Sequence, residues 1–179
     1  MKTYKHKSKY SAFQVSMPDG WSSAPVVDLF AGLSGITGNP RNAPGKPTES
    51  ISLLSPNGAY LSILITPLSE NEPEPTIDET DEYFDGLSCR ENMEVMATGI
   101  IHVAGKEHFW AAYYRMTLIG ASQIQFFKKY CLYLNKIEYL LTAGLYSAVP
   151  GRKLPTDQVL KDSERVYDEI VSSFTLLDG

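Results

Sequence analysis

Two histidines beside one turn are the residues whose spacing most directly suggests metal chemistry. His102 and His108 lie on either side of Ala104-Gly105, which separates two predicted strands. A three-residue loop would place the two imidazoles opposite each other, whereas a two-residue loop would pair His102 with Glu107. The sequence leaves both registers open. Because zinc sites use three or four ligands and no third ligand is evident, we predict no metal site and no cofactor.

A second group combines cations with aromatic rings. Arg115 lies close in sequence to Trp110 and Tyr113, and Lys129 belongs to the next predicted strand. A cation within an aromatic sheet face can bind an anionic ligand or an acidic segment of a partner. Such an arginine can equally pack its aliphatic stem on a tyrosine and pair with a carboxylate. We take Trp110, Tyr113, Arg115 and Lys129 as the candidate binding residues.

Motifs for nucleophilic or phosphate chemistry are incomplete. Glycines recur over residues 32–38, but Gly45-Lys46 is followed by Pro47 where a phosphate-binding loop needs Ser or Thr. Neither Ser34 nor Ser88 lies in the Gly-x-Ser-x-Gly pattern of a hydrolase nucleophile. The sequence therefore predicts no catalytic residue.

The strands that would position these side chains centre on residues 123–148. Two arms rich in aromatic and β-branched residues flank Asn135-Lys136, which predicts a long β-hairpin at the centre of an antiparallel sheet. Both arms contain consecutive apolar residues, as in 132–134 and 139–141, and strands of this kind need cover on both faces. Further strands are predicted at residues 11–17, 51–54, 60–65, 93–103 and 107–118.

Two helices are predicted from capping and periodicity. Thr76 and Glu79 form a capping box, and the helix that they begin should run to about Asn92. Apolar residues between Thr156 and Phe174 recur every three or four positions, which predicts a terminal amphipathic helix. A short helix is expected at residues 26–33, an irregular loop at 32–47 and a flexible arm at 1–9.

Composition indicates one ordinary globular domain. The chain has 179 residues and a net charge of −5, which argues against nonspecific binding to nucleic acid. No run is long and apolar enough for a membrane span, and no signal peptide is evident. We therefore expect a cytoplasmic protein whose two cysteines, Cys89 and Cys131, are reduced thiols.

The order of these segments resembles the Mog1/PsbP-like group, which includes DcrB-type bacterial domains. The resemblance lies in Phe13-Gln-Val-Ser-Met-Pro18-Asp-Gly-Trp21, in Tyr139-Leu-Leu-Thr-Ala143 and in the closing Ile170-Val-Ser-Ser173-Phe174. It implies an α+β fold, in which helices flank an antiparallel sheet of about six or seven strands, over the single domain 1–179. The loop at 32–47 looks longer than in the group.

The resemblance implies a fold more than an activity, because members of the group are mostly noncatalytic binding proteins. They include a partner of a nuclear-transport GTPase, an extrinsic photosystem subunit and chaperones for toxin segments. We therefore expect a noncatalytic adaptor or chaperone-like domain that binds another protein, with a homodimer also open. The alternative is a small-molecule binding protein, or an unrecognised hydrolase, with a cleft near Arg115.

Overall fold

The computed structural model contains two antiparallel sheets and two helices. It describes residues 1–25, 49–56, 59–91, 94–119, 121–145 and 157–177. The short helix expected at 26–33 and the loop expected at 32–47 lie outside these residues. The strands are β1 Lys2–Lys7, β2 Ala12–Met17, β3 Ser22–Pro25, β4 Glu49–Leu54, β5 Ala59–Pro67, β6 Glu94–Val103, β7 Lys106–Ile119, β8 Ala121–Leu134, β9 Ile137–Leu145 and β10 Thr175–Leu176. The helices are α1 Ile77–Glu91 and α2 Asp157–Ser172.

The large sheet has seven strands in the order β3-β4-β5-β9-β8-β7-β6. Its middle is the predicted hairpin, in which β8 and β9 pair antiparallel from Leu134 and Ile137 outward. Asn135 and Lys136 form the turn with φ of 52° and 61°, the left-handed geometry that a two-residue hairpin requires. The sheet topology and the flanking helices confirm the predicted α+β fold class.

Each face of the large sheet has its own apolar core. One face of the large sheet, which we call the α2 face, is covered by α2 and by the three-stranded sheet. Tyr167, Ile170 and Val171 of α2 belong to this core. On the opposite face, the α1 face, Phe84 of α1 packs against Phe109 and Tyr113. The two cores confirm that the central strands are covered on both sides, as their apolar residues predicted.

Residues 1–9 were expected to form a flexible arm, and that expectation is wrong. Lys2–Lys7 form strand β1, which pairs antiparallel with β2, and β10 pairs with the other edge of β2. The predicted first strand, 11–17, thus lies in a separate three-stranded sheet. Phe13 of β2 stacks on Phe174 with ring centroids 4.6 Å apart, so this sheet and the end of α2 share one core.

The helices begin where the sequence indicates. The Thr76 Oγ1 accepts the Glu79 N–H at 3.2 Å, and the Glu79 carboxylate accepts the Thr76 N–H at 2.8 Å, which is the predicted capping box. Neither described helix is long and apolar enough to cross a membrane.

Candidate functional site

The four candidate binding residues do not form one surface. Trp110 packs on the α2 face, whereas Tyr113 lies in the core of the α1 face. Lys129 is also buried, with its Nζ 6.0 Å from the Tyr113 ring centroid. Arg115 pairs with Gln125 in the ladder between β7 and β8, and its side chain is not among those described. A binding role for these residues, and a cleft near Arg115, stay predictions.

On the α2 face, a buried cation links the sheet to α2. The Lys128 Nζ lies 2.8 Å from both Glu164 Oε1 and Asp168 Oδ1, and 3.8 Å from the centroid of the Trp110 ring. Lys128 is only 1% exposed, so these carboxylates compensate the loss of its hydration. The Tyr130 hydroxyl donates to Asp168 at 2.7 Å. The cluster is internally satisfied and therefore fixes α2 on the sheet.

On the α1 face, a small depression lies beside the start of α1. Its cavity volume is about 90 Å³, and Thr76, Lys106, His108 and Cys131 are among its lining residues. Small-molecule sites usually have volumes of roughly 300–1,000 Å³. The depression is therefore too small for a metabolite of ordinary size.

Hydrogen bonds within the chain hold the polar groups around this depression. Burial raises the pKa of Glu74, but the Lys136 N–H and the Lys106 ammonium bind its carboxylate and lower the pKa overall. On the same face, the buried Glu138 Oε1 accepts hydrogen bonds from the Tyr133 hydroxyl at 3.0 Å and from the Cys131 thiol at 3.6 Å. These contacts occupy the carboxylates of Glu74 and Glu138.

The structure decides the register of the two histidines. His102 lies opposite Glu107, with His102 Nε2 3.2 Å from Glu107 Oε1, and His108 lies opposite Ile101. The turn thus has two residues, the second of the alternatives that the sequence left open. Among the residues that the structure describes, no group of three His, Cys, Asp or Glu side chains could hold a metal ion.

His108 has a structural role instead. Its Nδ1 accepts the backbone N–H of Tyr133 at 3.3 Å, beyond the last residue pair of the ladder between β7 and β8. Burial lowers the pKa of His108, and the nearby Lys106 charge lowers it further, against the opposing effect of the Val103 carbonyl. The neutral imidazole therefore completes the hydrogen bonding of the sheet.

The outer edge of β6 has no neighbouring strand in the described seven-stranded sheet. β6 is the last strand of the seven and pairs only with β7 in the described sheet. Because the turn has two residues, Val103 and Lys106 form its closing hydrogen-bonded pair. Alternate residues of β6 then direct their N–H and C=O groups away from β7. These outward residues are Thr98, Ile100 and His102.

Apolar side chains accompany these backbone groups. Met96 is 50% exposed and Ile100 is 42% exposed. Of the residues that the structure describes, the only other large exposed hydrophobic residue is Met1 at the chain start. A bulge between Val95 and Ala97 ends regular pairing with β7, so the regular part of the edge is 97–103.

The other sheet edges carry features that discourage added strands. β1 contains three lysines, β10 has two residues, and β3 has four residues and ends in Pro25. β6 has ten residues and contains neither lysine nor proline. The features of this kind in β6 are its bulge and the charge of Glu94 at its start. The outer edge of β6, defined by Thr98, Ile100 and His102, is therefore the candidate functional site.

Sequence reasoning missed this site because strand order is not encoded in local pattern. The hairpin of β6 and β7 was predicted, but nothing in its alternation indicates that β6 ends the sheet. The one sequence signal for an open edge was that residues 94–103 contain no lysine or proline, whereas residues 2–9 are rich in lysine.

Comparison with known structures identifies the fold. The structure of CyanoP, the PsbP of Synechocystis sp. PCC 6803, matches with a TM-score of 0.60 and 11% identity, over 98% of this chain and 92% of that one. The Ran-binding protein Mog1p of Saccharomyces cerevisiae matches with a TM-score of 0.54 and 12% identity, over 99% of this chain and 97% of that one. No protein-family model and no curated protein sequence matches the chain. The Mog1/PsbP-like fold predicted from the sequence is thus confirmed.

Proposed function

We propose that this chain, which has a Mog1/PsbP-like fold, is a noncatalytic protein-binding module. Its binding site is the outer edge of β6, where an extended segment of a partner adds as a further antiparallel strand. The main observation in support of the proposal is the outer edge of β6, which is unpaired in the described sheet. It is long, lacks lysine and proline, and presents Met96 and Ile100 to solvent. Strand addition gives affinity through main-chain hydrogen bonds and specificity through alternate side chains.

The described interior polar groups have structural roles. The buried ionisable groups Lys128 and Glu138 are engaged by neighbouring side chains, and the described depression beside α1 has a volume of only about 90 Å³. This depression is smaller than the pockets in which convergent polar groups usually form a catalytic site. The name of the similarly folded Mog1p, a Ran-binding protein, is a further reason to expect a protein partner.

A photo-crosslinking experiment tests the proposal. The photoreactive residue p-benzoylphenylalanine replaces Ile100 in the full chain. In the matched control it replaces Lys161, an exposed residue of α2. Irradiation in the cells that normally express the chain should give discrete protein adducts from position 100 and none of the same mass from position 161. Absence of adducts at position 100, or identical adducts at both positions, would overturn the proposal.

A further inference from the structure

We infer that the strand accepted by the outer edge of β6 is β6 of a second copy of this chain. This inference rests on the proposed function and names its partner. The two copies would be related by a two-fold axis through Ile100, so that two seven-stranded sheets join into one continuous antiparallel sheet.

The bulge and the hairpin geometry select this axis. Hydrogen bonding across a new strand pair needs residues whose backbone groups point outward, and in the regular part of β6 these are Thr98, Ile100 and His102. A two-fold axis through Ile100 pairs Ile100 with itself and Thr98 with His102. Every outward residue of the regular stretch then forms backbone hydrogen bonds with the second copy. An axis through Thr98 would instead place Ile100 opposite Met96, where the bulge interrupts the ladder.

The same axis completes an apolar row on the α1 face. Ile100 lies directly opposite Phe109 of β7 and is 42% exposed on its outer side. In the dimer, the row would run from Phe109 and Ile100 of one copy to Ile100 and Phe109 of the other. Directly opposed β-branched and aromatic side chains stabilise sheets. The exposed flank of Ile100 would thus gain the partner that the single chain does not supply.

Charge also favours the antiparallel arrangement. Glu94 is exposed at the start of β6 and would approach the turn of the other copy, where Lys106 has a side chain that is 54% exposed. Both charges of that turn already have partners in their own chain, Lys106 with Glu74 and Glu107 with His102. A parallel pairing would instead place Glu94 beside Glu94. The joined surface is narrow, so we expect weak, concentration-dependent association.

Charge reversal at the axis gives a specific test. The substitutions Ile100→Glu and Ile100→Lys each place like charges opposite one another in the proposed dimer, while a mixture of the two variants places opposite charges there. Sedimentation velocity on the full chain should show that the wild type dimerises as its concentration rises. Each variant alone should associate at least about tenfold more weakly, and the equimolar mixture should recover association.

Several results would overturn the inference. Persistent dimers of either single variant would place the interface elsewhere, and a mixture that fails to associate would exclude the axis through Ile100. A wild type that stays monomeric at high concentration would exclude a second copy, while adducts at position 100 would still support the proposed function. If either charged variant does not fold, Ile100→Thr replaces it. Ile100→Thr should weaken association severalfold, and unchanged association would contradict the inference.

Discussion

Ile100 and Phe109 lie directly opposite each other in the ladder between β6 and β7, yet Ile100 is 42% exposed and Phe109 only 5%. The difference arises because Phe84 of α1 stacks on Phe109, with ring centroids 5.5 Å apart, whereas Ile100 lies at the sheet edge. One apolar pair thus marks where the folded core ends and where the proposed binding edge begins.

The first prediction follows from this contrast. Phe109→Ala should lower the free energy of unfolding by about 3 kcal/mol, since it leaves a cavity under α1. Ile100→Ala should lower it by less than about 1 kcal/mol, because the side chain is already partly hydrated. Urea denaturation of dilute protein measures both values. Equal losses would show that Ile100 is buried by another part of the chain.

A second prediction concerns Gly99, which faces Trp110 across the same pair of strands. A Cβ at Gly99 would lie 2.7 Å from Trp110 Cζ2, which is closer than van der Waals contact permits. Gly99→Ala should therefore displace the indole from Lys128 and lower the free energy of unfolding by about 1–3 kcal/mol. The tryptophan emission should shift to longer wavelength. Gly86→Ala, where nothing lies within 4 Å of the added Cβ, is the matched control and should not destabilise.

A third prediction concerns Asp168, which binds both Lys128 and Tyr130. Burial raises the pKa of Tyr130, and the Asp168 charge raises it further, so that the hydroxyl stays protonated as a donor. Asp168→Ala should lower the free energy of unfolding by about 2–3 kcal/mol, because the buried ammonium loses one of its two carboxylates. Glu169→Ala removes an exposed carboxylate from the same helix and should change it by less than about 0.5 kcal/mol. Similar effects of the two substitutions would contradict a structural role for the Lys128 cluster.

A fourth prediction concerns pH. The pKa of His108 is lower in the folded chain than its ordinary value of about 6.5, so the unfolded chain binds more protons below that pH. The stability contribution of the neutral imidazole is complete above about pH 6.5 and falls as the pH drops toward the folded pKa. The loss should be at most about 1.4 kcal/mol for each pH unit.

Substitution of each histidine separates this effect from other titrations. His108→Asn keeps an acceptor for the Tyr133 N–H without a titrating ring, so its urea midpoint should depend less on pH between 6.5 and 5 than that of the wild type. The control, His102→Asn, removes an exposed histidine from the same hairpin and should leave the pH dependence unchanged. A wild-type slope in His108→Asn would contradict the account of His108.

Local sequence signals predicted most of the elements. The β8–β9 hairpin, the capping box at Thr76 and the terminal helix all depend on short-range chemistry, and each lies within a few residues of its expected position. β1 was missed because Lys2–Lys7 lacks a buried face of its own and owes its order to pairing with β2.

The candidate site depends on relationships that local pattern does not contain. Adjacent side chains alternate between faces, so Trp110 and Tyr113 separate, although their proximity in sequence suggested a common surface. Lys128 and Lys129 are both buried because carboxylates of α2 and the core of the α1 face enclose them, which required knowledge of the packing. The open edge of β6 depends on the order of all seven strands.

Amide hydrogen exchange of Ile100 and Ile101 tests the open edge most directly. In dilute protein, the outward N–H of Ile100 should exchange rapidly, while the inward N–H of Ile101 should be protected by β7. The protection of Ile100 should rise with protein concentration. If the Ile100 amide is as protected as that of Ile101 in dilute protein, or stays unprotected at every concentration and with cell extract added, the outer edge of β6 is not a binding site.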